Sequence, residues 1–146
     1  MRHSNILWQL KEWANTGGRG AATDASAGFV LPNGARRSPD AAWTLKSRIL
    51  QLDLREREGF WHLCPDFVIE VRSKTDRLRT LRDKMGEWIA NGAQLAWMLD
   101  PEKRQVEVFR PGAETDRFDA PEVLRGEGLV EGFVLQLGPL WDPLGQ

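Results

Sequence analysis

Apolar positions near the N-terminus repeat with the period of an α-helix. Ile6, Leu7, Leu10, Trp13 and Ala14 fall on one face. This spacing predicts a helix over residues 4–14, ended by the asparagine and glycines of "NTGGRG". Trp8 lies outside the stripe. A second stripe of Leu78, Leu81, Met85, Trp88 and Ile89 predicts a helix over 77–91, with Gly92 just past its end. Between the helices, "GFVLPNGARRSPDAAWTL" reads as a β-hairpin turning at Asn33-Gly34, its second strand running on through Asp40 to Trp43. Residues 45–64 are mixed, with room for a short helix and then a loop to Pro65. Residues 66–71 form an apolar strand that carries Glu70 near its end. "AQLAWML" is almost continuously apolar, as a strand buried on both faces must be. A turn at Asp100–Lys103 and the alternation of "RQVEVFR" then bring the chain back as a hairpin. Residues 112–131 are rich in loop formers, with one short strand near Arg117. "GFVLQL" is a final strand before the tail.

The order helix, hairpin, strand, helix, strand, hairpin fits an α/β sandwich: a central mixed sheet with helices packed on it. A chain of 146 residues can bury one real core but not comfortably two. Net charge is −1, so any affinity for a polyanion must come from a local patch. Such a patch exists in the run Arg72, Lys74, Arg77, Arg79, Arg82 and Lys84. No apolar run reaches the roughly 18 residues of a membrane span, and the N-terminus lacks a secretory pattern. The expected location is cytoplasmic. Cys64 is the single cysteine, which excludes an internal disulfide and a cysteine-based zinc site. His3 and His62 do not make a histidine-rich metal site, and neither is read as a catalytic base. A bound metal would need oxygen ligands, which points to magnesium or manganese.

Asp40 and Glu70 are the two carboxylates set among apolar strand residues. Burying either alone as an ion costs several kcal/mol. Two from adjacent strands can share a divalent cation instead. Equally, Asp40 can cap the turn after Ser38-Pro39 while Glu70 pairs with an arginine. If the strand persisted to residue 74, Glu70, Arg72 and Lys74 would share one face. Asp66 lies about 13 Å from Glu70 along an extended strand, at roughly 3.3 Å per residue, and is read as structural. Arg77 and Lys84 flank the apolar edge of their helix and can reach towards the Glu70 end of the strand. Most of the seven tryptophans are expected in the core, at Trp13, Trp43, Trp88 and Trp97. No glycine-rich phosphate loop or nucleophile elbow is present.

"RSPDAAW", followed by "CPDFVIEVRSKTDRLRTLRDKMGEWIANGAQLAWMLDPEKRQVEVFRPG", resembles the Uma2 family, formerly the domain of unknown function 820. The resemblance runs from about residue 2 to 142. That family is similar to nucleases of the PD-(D/E)XK fold, so the resemblance implies a restriction-endonuclease-like sheet flanked by helices. It implies magnesium-dependent hydrolysis of nucleic acid, most naturally DNA, with Asp40 and Glu70 as metal ligands. Arg72 occupies the usual lysine position of the motif, and Lys84 matches the lysine on the family's helix. Lys74 and Arg77 become nucleic-acid contacts. Arginine does not deprotonate in proteins, so Arg72 can stabilise charge but not act as a base. Family members usually carry a segment before the first helix. The expectation is therefore a single domain over 1–146 without that segment, and a homodimer that covers the surface so exposed, with Trp8 involved. The alternative is a catalytically silent nucleic-acid-binding or dimerisation module of the same fold. Metal dependence at Asp40 and Glu70 distinguishes the two.

Overall fold

A computed structural model describes residues 2–145, with side chains from residue 4 onward, so the side chain of His3 lies outside the described residues. Helix α1 spans Arg2–Gly17 and buries Ile6, Leu10 and Ala14, the centre of its stripe. Strand β1 (Gly20–Asp24) follows at once and pairs antiparallel with β4 (Ala41–Leu45). Between them lies a small hairpin of β2 (Phe29–Val30) and β3 (Arg36–Arg37). Its turn is longer than the two residues expected from Asn33-Gly34. Leu31 N–H donates to the Ala35 carbonyl, and only Gly34 of the pair has positive φ, at 87°. The hairpin is also not continuous with the next strand. Ser38, Pro39 and Asp40 break the pairing, because proline offers no N–H for a ladder, and β4 then joins a different sheet.

Two short helices follow, α2 (Lys46–Leu50) and α3 (Leu54–Glu58). The second starts with a capping box between Asp53 and Glu56. Strand β5 (Phe67–Val71) is fully buried. Helix α4 (Leu78–Ala90) ends in a Schellman motif: Gly92 has φ 124°, Gly92 N–H reaches the Ile89 carbonyl and Ala93 N–H the Trp88 carbonyl. Strand β6 (Leu95–Asp100) runs parallel to β5 and is buried at all six positions, as its continuous apolar sequence requires. Strands β7 (Gln105–Phe109) and β8 (Asp116–Asp119) complete the sheet antiparallel. Strands β9 (Val123–Arg125) and β10 (Val134–Gln136) form a second small hairpin, and α5 (Gly138–Trp141) closes the chain.

The main sheet has six strands in the order β1-β4-β5-β6-β7-β8. Helices α1 and α5 with the β9–β10 hairpin cover one face. There Phe67, Trp97 and Phe133 pack edge-on or stacked, with centroids 4.8–6.1 Å apart. Helix α4 and the β2–β3 hairpin cover the other, around Phe29, Val68, Met85, Trp88 and Met98. The expected α/β class, with a mixed central sheet between helices, is the observed one. Trp43, Trp88 and Trp97 are buried and Trp13 half-buried, as expected, while Trp8 is 61% exposed. No helix of the described residues is long and apolar enough to cross a membrane.

Candidate active site

Side chains alternate along β5, so Phe67, Ile69 and Val71 face α1 while Val68 and Glu70 face α4. Asp40 stands one residue before β4. The antiparallel register that pairs Ala41 with Ile69 carries it to the end of β5, next to Glu70. The two residues grip each other through the backbone. Asp40 N–H donates to Glu70 Oε1 at 3.1 Å, and Val71 N–H donates to Asp40 Oδ2 at 2.8 Å. The break at Ser38-Pro39-Asp40, which ends the small hairpin, thus frees the backbone and carboxylate of Asp40 to finish the edge of β5.

The other Glu70 oxygen faces α4. The indole N–H of Trp88 donates to Glu70 Oε2 at 3.3 Å, and Lys84 Nζ lies 3.9 Å from the same oxygen. Lys84 and Trp88 are four residues apart on α4, hence one above the other on one helix face. Glu70 is only 5% exposed. Burial, and then the negative charge of Asp40, push its carboxyl up to about 7, against the opposing pull of Lys84 and the hydrogen bonds from Asp40 and Trp88. With both carboxylates ionised, two negative charges face the single positive charge of Lys84.

That surplus is the property a hard divalent cation would satisfy. Among the described residues no group of three histidine, cysteine or acidic side chains is arranged to hold a metal ion. The protein's offer is two carboxylates. Magnesium typically takes one or two carboxylates and keeps several of its waters, so Asp40 and Glu70 fit it in chemistry and in number.

The remaining basic residues separate. Strand β5 ends at Val71, so the shared face expected through residue 74 does not form. Arg72 N–H still joins the ladder to the Leu99 carbonyl, but its guanidinium donates to Asp100 Oδ2 at 3.0 Å and to the Asp76 carbonyl. Asp100 is 2% exposed, so the pair is a buried tie between the ends of β5 and β6. Lys74 lies in an exposed turn beyond β5. Arg77 is the exposed N-cap residue of α4 and makes no side-chain cap. Asp66 accepts from Leu45 N–H at 2.8 Å and pairs with Arg48 at 2.9 Å, joining β4, α2 and β5 away from Glu70.

Two features beside the site were not read from the sequence. Arg82 on α4 grips Glu107 of β7 with both Nε and Nη2, at 2.6–3.2 Å, and Arg117 of β8 adds a further contact at 3.4 Å. Arg37 donates to Glu87 of α4 at 2.6 Å, which anchors the small hairpin over the same helix and lowers the Glu87 pKa. Cys64 is buried, and desolvation raises its thiol pKa to about 12, so it offers no nucleophile.

A comparison with curated proteins yields no match. Among solved structures, one described as a putative nuclease belonging to DUF820 from Anabaena variabilis ATCC 29413 superposes with a TM-score of 0.79 at 22% identity. The match covers 97% of this chain and 80% of that one, and it shows the shared fold. The DrdV–DNA complex gives a TM-score of 0.46 at 18% identity, over 78% of this chain and 9% of that one. The family model of Uma2, described as "Putative restriction endonuclease", matches residues 2–138, and the chain belongs to that family.

Proposed function

We propose that this protein is a metal-dependent nuclease of the PD-(D/E)XK type, hydrolysing phosphodiester bonds of nucleic acid at the Asp40–Glu70 site. One observation carries the reading. Two acidic side chains, Glu70 of β5 and Asp40 just before β4, meet at the end of β5, with a lysine 3.9 Å from one of them. Asp40 and Glu70 would hold the magnesium or manganese ion, which when bound supplies Lewis-acid polarisation of a phosphoryl oxygen.

The protein's own groups do the rest. Backbone N–H groups of Asp40 and Val71 fix one oxygen of each carboxylate. Trp88 fixes the second oxygen of Glu70. Such supporting hydrogen bonds orient a ligand before the metal arrives. Lys84, half-exposed and already directed at the site, places a positive charge where the pentavalent phosphate gathers negative charge. Arg72 is engaged by Asp100, so its part is to position the end of β5 rather than to move into the site. Lys74 and Arg77, exposed just beyond β5, are placed to contact flanking phosphates.

The test is a nuclease assay of the purified protein with Mn²⁺ on single- and double-stranded substrates, with Glu70→Ala as control. Cleavage that requires Mn²⁺ and vanishes in Glu70→Ala supports the proposal. Nucleic acid bound but never cleaved would instead identify a silent binding module.

A further inference from the structure

A cavity opens beside strand β2 of the small hairpin. It is about 360 Å³ and is lined by residues 26–28 and 57–61, with Phe60, Trp61, Gly28 and Arg57 among its walls. Strands β2 and β3 and the bridge at residue 61 set its position. Trp61 N–H donates to the Gly28 carbonyl and Val30 N–H to the Trp61 carbonyl, so residue 61 runs beside β2. On the other side Phe29 pairs with Arg37, which places Gly28 opposite Ser38. Asp40 is two residues beyond Ser38 and four beyond Arg36, roughly 13 Å from Arg36 along an extended chain.

The walls have the chemistry of a base platform. Phe60 remains 39% exposed, and its ring presses on the backbone of Gly28 so closely that any Cβ there would clash with the ring at 2.5 Å. The guanidinium of Arg36 lies over the same ring, 5.4 Å from its centroid. Arg36 has no carboxylate partner among the described residues, unlike Arg37 beside it, which pairs with Glu87. Arg57 is committed to the carbonyls of Leu50 and Leu52 and acts as scaffold. Glu58 is the one carboxylate in the lining. An arginine held over an exposed ring, with its charge unspent, presents a cation on which a base can stack and a phosphate can be paired.

We infer that Arg36 and Phe60 form a stacking subsite for an unpaired base of a single-stranded nucleic acid whose backbone runs to the Asp40–Glu70 site. This rests on the nuclease reading and specifies its substrate. Stacking is open to any base, so the subsite adds affinity without sequence preference. A paired base, with its faces covered by neighbours in the duplex, cannot use it.

The experiment measures fluorescence anisotropy of a labelled oligothymidylate, and of the same strand in a duplex, against metal-free protein. Phe60→Ala and Arg36→Gln should each weaken single-strand binding about tenfold, with less than additive loss in the double variant because the two groups touch. Duplex binding should be unaffected by Phe60→Ala. Arg55→Gln, at an exposed arginine of α3 outside the cavity, should bind as the unsubstituted protein does. Unchanged binding by both Phe60→Ala and Arg36→Gln overturns the subsite. So does an equal loss in Arg55→Gln, which would reveal charge alone. Thermal melts of each variant verify that it is folded, and Arg36→Gln carries the test if Phe60→Ala is not. Absence of all binding by the unsubstituted protein would reject the nucleic-acid reading itself, an outcome distinct from a failed subsite.

Discussion

At the scale of single residues, Lys84 carries the sharpest consequence. It is the cation that points at Glu70, while Arg72 is tied to Asp100. A preorganised charge of this kind stabilises a transition state by about 3–4 kcal/mol. Lys84→Ala should therefore cut turnover roughly 100- to 1000-fold with little change in KM. Lys74→Ala should mainly weaken binding, and most at low salt. Steady-state kinetics on both variants check this. Wild-type rates in Lys84→Ala beside a folded but inactive Arg72→Ala would return the catalytic cation to the strand. Glu70 gives a pH prediction. Its folded pKa, about 7, lies above the usual 4.5, so the protonated form is the one the fold favours. The stability it allows is complete below the unfolded pKa and is lost as pH rises through about 7. In metal-free buffer Glu70→Gln should thus raise the melting temperature near pH 8, with at most about 3 kcal/mol behind it, and change little near pH 5. An equal shift at both values would refute the assignment. Asp40 and Glu70 were legible in the sequence because a carboxylate among strand-forming apolar residues stands out. The Arg72–Asp100 tie was not, because it depends on the parallel register of β5 and β6, which no local pattern reveals.

At the scale of elements, α4 is held over the sheet at two places along one register row. Glu70, Met98, Glu107 and Arg117 stand opposite one another across four strands. Lys84 and Trp88 meet the first of them and Arg82 the third. Glu107 is 3% exposed at its side chain, so losing its main partner leaves a buried charge with Arg117 alone. Arg82→Ala should destabilise the fold by about 2 kcal/mol, less than the 3–5 typical of a fully buried pair because Arg82 is partly solvated. Combining it with Glu107→Leu should recover part of the loss, since an apolar replacement removes the stranded charge. Urea midpoints measure both, and a double variant weaker than Arg82→Ala would contradict the argument. The burial of Glu107 was not legible in the sequence. In "VEVF" it alternates with apolar residues, the usual mark of a solvated face, but α4 covers that face. Strand β1 escaped notice for a related reason. "GAATD" has neither alternation nor β-branched residues beyond Thr23, and it forms because β4 offers it a partner. By contrast α1, α4, β5, β6 and β7 were legible, since each has either a helical stripe or a strand-length apolar run.

At the scale of the whole molecule, the two faces of the sheet are unequal. The α4 face carries the acidic pair, and the α1 face carries the larger aromatic core. Outside that core, α1 shows Trp8 at 61% exposure beside a groove of about 570 Å³ that runs under Gln9, Trp13 and Phe133 to Pro139. Exposed tryptophan beside a concave apolar wall is the composition of an association surface. We expect a homodimer through this face, and Trp8→Lys should convert it to a monomer in light scattering. A monomer at high concentration without the substitution would exclude it.

The far edge of the sheet has a different fate. All four residues of β8 are exposed, and three are charged. Asp116 pairs with Arg110, Arg117 with Glu107, and Asp119 accepts from Gln105. An open strand is a template that any extended chain can join, and charged side chains along it make such joining unfavourable. These ties to the preceding strand and the residue after it keep the charges in place as a fence. Growth of the sheet into fibres is discouraged at the very border where its hydrogen bonds are unsaturated, and the protein can remain dispersed in a crowded solution without covering that border by another subunit.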